Sequence, residues 1–285
     1  MIFIQFLNGL STSMLLFLLA SGLTLIFGVL RIINFAHGSF YMLGAYLTYT
    51  ISRTFANYWV AFLVAPIFVA ISAGLIEFFF LRSLYKREHE YQLLLLYGFL
   101  LILDDVVKMV YGAAFKIISR PQFLQDSVEI MGREFPKYSL FIIILGPIVA
   151  LGLWYLFDQT KIGKKIRAAS FDREAANSLG INVPFLYTAV FVFGSWLGGM
   201  GGAVAGPLRA ASLGMGLEII IMSFAVVIIG GLGSFWGALL GSILVGEVLA
   251  FGVLILPKFV IIIPYIFMVL VFLIRPQGLF GKGRV

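Results

Sequence analysis

The sequence predicts an all-α polytopic membrane protein, a bundle of about eight to nine transmembrane helices with a short cytoplasmic helix. Of its 285 residues, 61% are hydrophobic and only 12% are charged, whereas soluble domains are nearer half apolar and a quarter charged. One core cannot bury that much apolar surface, so lipid must be the solvent. The apolar runs lack the alternation of barrel strands, and lipid offers open strand edges no hydrogen-bond partners, which favours helices.

A helix needs about 20 apolar residues to cross the hydrocarbon core. Nine segments meet or approach this length, and we treat the whole chain, 1–285, as one transmembrane domain. They are 5–30, 33–51, 59–81, 91–110, 139–157, 185–207, 218–234, 236–256 and 259–274. No basic stretch precedes the first run, which is too long for a signal peptide, so we expect a retained span.

The seventh segment is short, and the sequence GGLGSFWG interrupts its end. It is either re-entrant or a full span followed by a tight glycine turn. We favour the full span because it keeps the basic C-terminal tail on the same side as the other basic loops. Those regions are 82–87, 161–173 and 275–284. An excess of Lys and Arg marks the cytoplasmic side, which predicts an N-terminus outside and a C-terminus in the cytoplasm.

The largest loop on that side, 158–185, is too polar for lipid and too short to be a domain. Its pattern predicts a helix over 162–180 that Asp172 caps and Gly180 ends, with Pro184 at the start of the next span. Such an amphipathic helix either binds in a groove of a partner protein or lies at the lipid headgroups. The spacing alone leaves both possibilities open.

Motifs for nucleotide hydrolysis or other catalysis are missing from the sequence. We find no GxxxxGK[ST], HExxH or GxSxG pattern, no cysteine and only two histidines. We therefore predict no catalytic, cofactor-binding or metal-binding residues, and we do not expect an enzyme. The net charge of +7 fits basic loops better than nucleic-acid binding, since no interleaved basic and aromatic stripe accompanies it. Transport would then use an ion gradient or a partner that hydrolyses ATP.

Three polar residues within the spans are candidates for a translocation path. Asn34 and His37 lie where the second segment begins, and Glu247 lies in the eighth. Polar groups at membrane depth are functional candidates by default. In the structural alternative, Asn34 caps a helix that bends at Gly38, and both polar side chains hold helices together.

Other charges and the glycines suggest structural roles. Asp104 and Lys108 are four residues apart and can pair on one helix face, and Glu77 can reach Arg82. Glycines recur every four residues on the sixth segment, and another pair does so on the eighth. They are Gly194, Gly198, Gly202, Gly206, Gly237 and Gly241. This spacing predicts close helix packing.

Three blocks of sequence resemble the permease subunits of branched-chain amino acid ABC importers. They are SGLTLIFGVLRIINFAHGSFYMLGAY (21–46), GKKIRAASFDREAANSLGIN (163–182) and AVVIIGGLGSFWGALLGSILVGEVL (225–249). The second contains the EAA-three-residues-Gly core that importer permeases present to their ATPase, here Glu174, Ala175, Ala176 and Gly180. The usual Ile-x-Leu-Pro ending is missing, because Pro184 comes early.

The resemblance implies a complete transport machine in a bacterial inner membrane. It would contain two permease subunits, usually different, two cytoplasmic ABC ATPase subunits and an extracytoplasmic substrate-binding protein. The polar loop would be the cytoplasmic coupling helix, with Arg167, Asp172, Glu174, Ala175, Ala176 and Gly180 at the ATPase. The substrate would be Leu, Ile or Val. The alternatives are urea, short amides or other amino acids on the same architecture, or a gradient-driven secondary transporter.

Overall fold

The computed structural model describes residues 2–281, and these residues form eleven α-helices. The helices are α1 (Ile2–Leu30), α2 (Ala36–Phe55), α3 (Tyr58–Phe79), α4 (His89–Tyr111), α5 (Lys137–Trp154), α6 (Lys161–Phe171), α7 (Arg173–Ser178), α8 (Val183–Arg209), α9 (Met215–Gly230), α10 (Phe235–Ile255) and α11 (Ile263–Ile274). Each of the nine predicted segments contains one helix, and the predicted all-α polytopic fold is confirmed.

The remaining regular structure is short. A π-helical turn, Tyr155–Gln159, extends α5, and 3-10 turns occur at Leu81–Leu84 and Gln122–Leu124. Between α4 and α5, β1 (Ser127–Ile130) pairs antiparallel with β2 (Arg133–Pro136), with Ser127 opposite Pro136. We call the end of the bundle that carries this hairpin the hairpin end, and the end that carries α6 and α7 the loop end.

Five helices are long and apolar enough to cross a bilayer by length and composition alone. They are α1, α3, α5 with its π-helical turn, α8 and α10. The helices α9 and α11 are apolar but shorter. The 16 residues of α9 extend about 24 Å at 1.5 Å per residue, which is less than the roughly 30 Å of hydrocarbon.

The turn after α9 is the predicted tight glycine turn. Gly231 and Gly233 have positive φ angles of 110° and 79°, which glycine adopts without steric cost. The amide of Ser234 donates to the Gly231 carbonyl at 3.0 Å, and the Ser234 side chain then caps α10. After α11 the chain returns to this turn, where the amide of Phe280 donates to Gly230. The described C-terminal residues therefore lie at the loop end, whereas Lys282 and Arg284 of the predicted basic tail lie outside the described residues.

The centre of the bundle is formed by α1, α2 and α8, and glycine lets their backbones approach. A Cβ atom on Gly202 of α8 would overlap the backbone of α2 at Tyr41, and one on Gly194 would lie 2.9 Å from the carbonyl oxygen of Gly22 in α1. On α10, Gly237 and Gly241 meet the backbone of α9 in the same way. The predicted role of the glycines in close helix packing is therefore confirmed.

The helices α2 and α9 both begin inside the bundle. His37 in the first turn of α2 contacts the carbonyl of Leu19, which precedes the end of α1 by 11 residues, or about 17 Å. The first turn of α9 lies against it, since a Cβ on Gly216 would be 2.8 Å from the carbonyl oxygen of Gly38. Two helix N-termini thus meet at about half the depth of the bundle.

Two predicted charge pairings are wrong. Asp104 does not pair with Lys108; its Oδ1 accepts a hydrogen bond from the amide of Gly214 at 3.2 Å and so supports the connection that leads into α9. Glu77 does not reach Arg82 either. Its Oε1 accepts from the hydroxyl of Tyr85 at 2.7 Å, inside the protein. Tertiary contacts therefore replace both local pairings.

Candidate functional site

The polar loop forms two helices rather than the single predicted one, with a break at Asp172. Thr160 caps α6 by accepting from the amide of Gly163 at 3.2 Å. Asp172 caps α7, and its Oδ1 accepts from the amides of Glu174 and Ala175 at 2.9 Å each. The extended conformation of Asp172, with φ −142° and ψ 111°, ends one helix and begins the next. The predicted cap is therefore confirmed.

The second of these helices is held by one face and exposed on the other. Ala176 is 2% exposed and packs in a cluster with residues of α1, α3 and α8. Glu174 and Ala175 are exposed, and the apolar side chains that flank α7, Phe171 and Leu179, are 90% and 80% exposed. This arrangement leaves an apolar tip with an adjacent carboxylate at the loop end.

The second half of α6 is bonded to the ends of two membrane helices. Arg167 donates to Asp158 Oδ1 at 3.0 Å and to the carbonyl of Phe157, both just after α5. Arg31, directly after α1, donates to the carbonyl of Ser170 at 3.2 Å. Movement of the loop would therefore be passed to α1 and α5.

Further contacts join α7 to the helices around it. Arg173 donates to the hydroxyl of Tyr187 in α8 at 3.0 Å and lies over its ring. Gly180 has a φ of +80° and ends α7 as predicted, because glycine takes this left-handed conformation without steric cost. Pro184 then lies in the first turn of α8, as predicted.

The two polar residues of the second segment lie deep in the protein. Asn34 is completely buried, and neither its Oδ1 nor its Nδ2 has a hydrogen-bond partner within residues 2–281. The expected cap is wrong, since α2 begins after Phe35 with no side-chain cap. Buried amides are costly unless they are hydrogen-bonded, so Asn34 is suited to hold a water molecule or another polar group.

His37 is completely buried between α1 and α8. Its Nε2 donates to the carbonyl of Leu19 at 3.0 Å, and its Nδ1 has no partner among the described residues. Cβ atoms on Gly22 and Gly198 would lie 2.9 Å and 3.1 Å from its ring. The glycines thus form the space for the imidazole, which lies near mid-depth rather than at the inner end.

Glu247 lies in α10 and packs against Gly9 of α1. His37 contacts α1 ten residues further along the chain, at Leu19. Both carboxylate oxygens are buried without a partner in the described part of the chain, and they approach Gly9 so closely that a Cβ there would be 2.8 Å from Oε1. A carboxylate at this depth is costly without a hydrogen-bonded partner. Asn34, His37 and Glu247 therefore share one property, a buried polar atom that the protein leaves unpaired.

A cavity that the sequence did not predict opens between α1, α2, α9, α10 and the connection from α8. Its volume is about 280 Å³, and its polar lining includes Tyr41, Arg209, Ser212 and Glu218. The sequence places Glu218 at the start of the seventh predicted segment and Arg209 in the connection before it. The signal that could have found them is a pair of opposite charges on either side of the short connection AASLG.

Comparison with known proteins places the chain among membrane permeases. The family described as "Branched-chain amino acid transport system / permease component" matches residues 5–274. The protein named high-affinity branched-chain amino acid transport system permease protein BraD, from Pseudomonas aeruginosa, is 27% identical, over 99% of this chain and 96% of its own. A probable branched-chain amino acid transport permease protein LivH from Methanocaldococcus jannaschii is 29% identical, over 94% and 89%.

The fold is also similar to that of a solved structure. The structure of PsaBC from Streptococcus pneumoniae in complex with Fab matches with a TM-score of 0.52 and 14% identity, over 95% of this chain and 91% of that one. Together with the apolar helices, the family match describes a multi-pass membrane protein and a transport subunit. The chain belongs to the family of permease components of branched-chain amino acid transport systems.

Proposed function

We propose that this chain is the permease subunit of an ATP-driven ABC importer for leucine, isoleucine and valine. It forms the translocation path with a second, different permease, and two cytoplasmic ABC ATPase subunits drive it. A substrate-binding protein outside the inner membrane delivers the amino acid. The loop end faces the cytoplasm, which places the N-terminus outside and the C-terminus inside.

The observation that carries this proposal is the exposure of α7 and of the apolar side chains that flank it. An exposed helix with apolar side chains at 80–90% exposure has unburied apolar surface, and such surfaces mark interaction sites. A groove on an ATPase subunit would bury Phe171 and Leu179 and leave Glu174 at its rim. The exposed lysines of α6, Lys161, Lys164 and Lys165, suit the lipid headgroups. The helix α7 suits a protein groove instead, because it has no Lys and its only basic residue, Arg173, is bonded to Tyr187.

The contacts of the loop supply the coupling. When the ATPase subunits close around ATP, they move α6 and α7 together. The bonds from Arg31 to Ser170 and from Arg167 to Phe157 pass that movement to α1 and α5. Because α1 packs on α8 through glycines, small shifts change which helix faces meet, and the path opens alternately to each side.

We assign Asn34, His37 and Glu247 to the path, since each has a buried polar atom without a protein partner. Water or a passing substrate can satisfy such atoms. Replacement of Asn34 with leucine should then reduce uptake while the complex stays assembled and folded. Normal uptake by that variant would leave Asn34 with a structural role only.

Copurification tests the proposal. The chain is expressed with its genomic neighbours and purified in mild detergent, and the subunits that accompany it are identified. Glu174→Arg and Gly180→Trp should release the ATPase subunits and abolish ATP-dependent leucine uptake. Glu129→Arg and Gly132→Trp, at exposed positions of the hairpin, are matched controls that should change neither. Gly132 shares with Gly180 a positive φ and open space around its Cα.

Two results would overturn the proposal. In one, the loop variants keep the ATPase subunits as well as the controls do. In the other, the chain purifies alone and transports leucine under an ion gradient, which would identify a secondary transporter.

A further inference from the structure

We propose that the cavity beside α9 binds the substrate during transport, and that it selects a zwitterionic amino acid with an aliphatic side chain. This inference rests on the proposed function and names the site within the path. Its basis is the combination of two opposite charges and an apolar wall in one cavity of about 280 Å³. That volume is just below the roughly 300–1,000 Å³ of drug-sized ligand sites.

Two residues that line the cavity carry opposite charges, and both side chains are exposed. Arg209 is the last residue of α8, and Glu218 is in the first turn of α9. Neither side chain has a hydrogen-bond or ion-pair partner within 4.0 Å in the part of the chain that the structure describes. Opposite charges that share a cavity without touching can be bridged by a ligand that carries both signs.

A third polar group also lines the cavity. Tyr41 is 3% exposed, and its hydroxyl has no partner among residues 2–281, while the ring packs beside Gly201. A phenol can donate to a carboxylate or accept from an ammonium group. The backbone of α2 and α8 holds the ring in place, because Gly202 lies directly against the carbonyl of Tyr41.

Apolar residues line the rest of the cavity. Leu16 of α1, Ile219 and Met222 of α9, and Leu249 of α10 line it. Methionine is flexible and adapts to apolar groups of different shape, which suits leucine, isoleucine and valine alike. A substrate would direct its carboxylate to Arg209, its ammonium group to Glu218 and its side chain to this wall.

The same arrangement argues against the alternative substrates. Urea and short amides carry no net charges, so they would offer no opposite charge to Arg209 or to Glu218. They would also leave the apolar wall uncovered. Within the family's architecture, the cavity therefore favours amino acids.

The position of the cavity fits a transient site. It lies where α9 begins, beside the connection whose Gly214 amide is held by Asp104. Because α9 packs on the first turn of α2, a shift between these helices would change the cavity.

Binding measurements on the intact transporter complex, purified without its binding protein, test the inference. Radiolabelled leucine is displaced by three probes: leucine, leucinamide, which lacks the carboxylate, and 4-methylpentanoate, which lacks the ammonium group. Arg209→Gln should weaken leucine by about tenfold to a hundredfold, the range of a lost charge-assisted hydrogen bond, and should leave leucinamide unchanged. Glu218→Gln should weaken leucine similarly and leave 4-methylpentanoate unchanged.

Arg133→Gln and Glu134→Gln, on the exposed hairpin, are the matched controls. A structural role for Arg209 or Glu218 would weaken all three probes together, and that pattern would overturn the inference. Leucine binding equal to wild type in both variants would overturn it as well, as would no measurable binding up to about 10 mM by a complex that imports leucine. In each of these cases copurified ATPase subunits and uptake by the wild-type complex keep the proposed function standing.

Discussion

The contact between the first turns of α2 and α9 makes a sharp prediction, because it leaves no space for a methyl group. In the variant Gly216→Ala, the new Cβ would lie 2.8 Å from the carbonyl oxygen of Gly38, 3.0 Å from its carbonyl carbon and 3.2 Å from the amide nitrogen of Ser39. Ordinary contact begins at 3.4 Å. All three atoms are backbone, so the helices themselves must separate by about 0.6 Å.

A gap of 0.5–1 Å forfeits about a quarter to a half of the dispersion energy between facing atoms, and overpacking typically costs about 1–3 kcal/mol. Alanine regains up to about 1 kcal/mol of helix propensity over glycine. The net loss in the free energy of unfolding should therefore be about 1–2 kcal/mol. The control is Gly152→Ala in α5, where a Cβ would meet nothing within 4 Å, and it should gain about 0.5–1 kcal/mol.

The assay is the melting temperature of the purified complex in detergent, followed by size-exclusion chromatography after heating. At roughly 2–4 °C per kcal/mol, the melting temperatures of the two variants should differ by at least about 3 °C, with Gly216→Ala the less stable. Equal melting temperatures would refute the reasoning, because they would mean that α2 and α9 do not touch through their backbones.

Three further predictions concern single side chains. Asp172→Ala removes the cap of α7 and should lower the stability of that helix by about 1 kcal/mol. The measurement is hydrogen exchange of the first amides of α7, which should become faster; unchanged exchange would mean that packing alone holds α7. Burial, and then the bond to Glu77, raises the pKa of the Tyr85 phenol above its ordinary value, so this phenol keeps its proton and donates to Glu77. Tyr85→Phe removes that donor and should destabilise the protein by about 2 kcal/mol, which would lower its melting temperature. A melting temperature equal to wild type would show that Glu77 finds another partner. Glu247→Gln removes a costly buried charge and should raise the melting temperature while reducing leucine uptake; undiminished uptake would exclude Glu247 from the path.

The elements of the bundle could be predicted because their signals are local. Nine apolar segments gave nine helices, and short-range chemistry predicted the cap at Asp172 and the glycine turn after α9. These features depend on residues within a few positions of each other, so the local sequence is sufficient to predict them. The same holds for the glycine face of α8, whose period of four puts its members on one side of a helix.

The features that depend on how distant segments pack could not be predicted in this way. Asn34 and His37 were recognised as unusual, but their mid-depth position arises because Arg31–Phe35 leads the chain back into the bundle before α2 begins. Asp104 was paired with its nearest cation, whereas the structure brings it to Gly214, 110 residues away. Arg209 and Glu218 likewise form a cavity only once α1, α2 and α10 surround them.

The meeting of two helix N-termini at half the depth of the bundle has a consequence for the leakage of protons and other cations across the membrane. Each N-terminus carries a partial positive charge, and the first turns of α2 and α9 bring two of them together, beside a cavity where the charges of Arg209 and Glu218 offset each other. Positive ends of half-helices exclude protons and other cations from a pore. A path that passes this point can open wide enough for a neutral zwitterion and still leave the proton gradient intact.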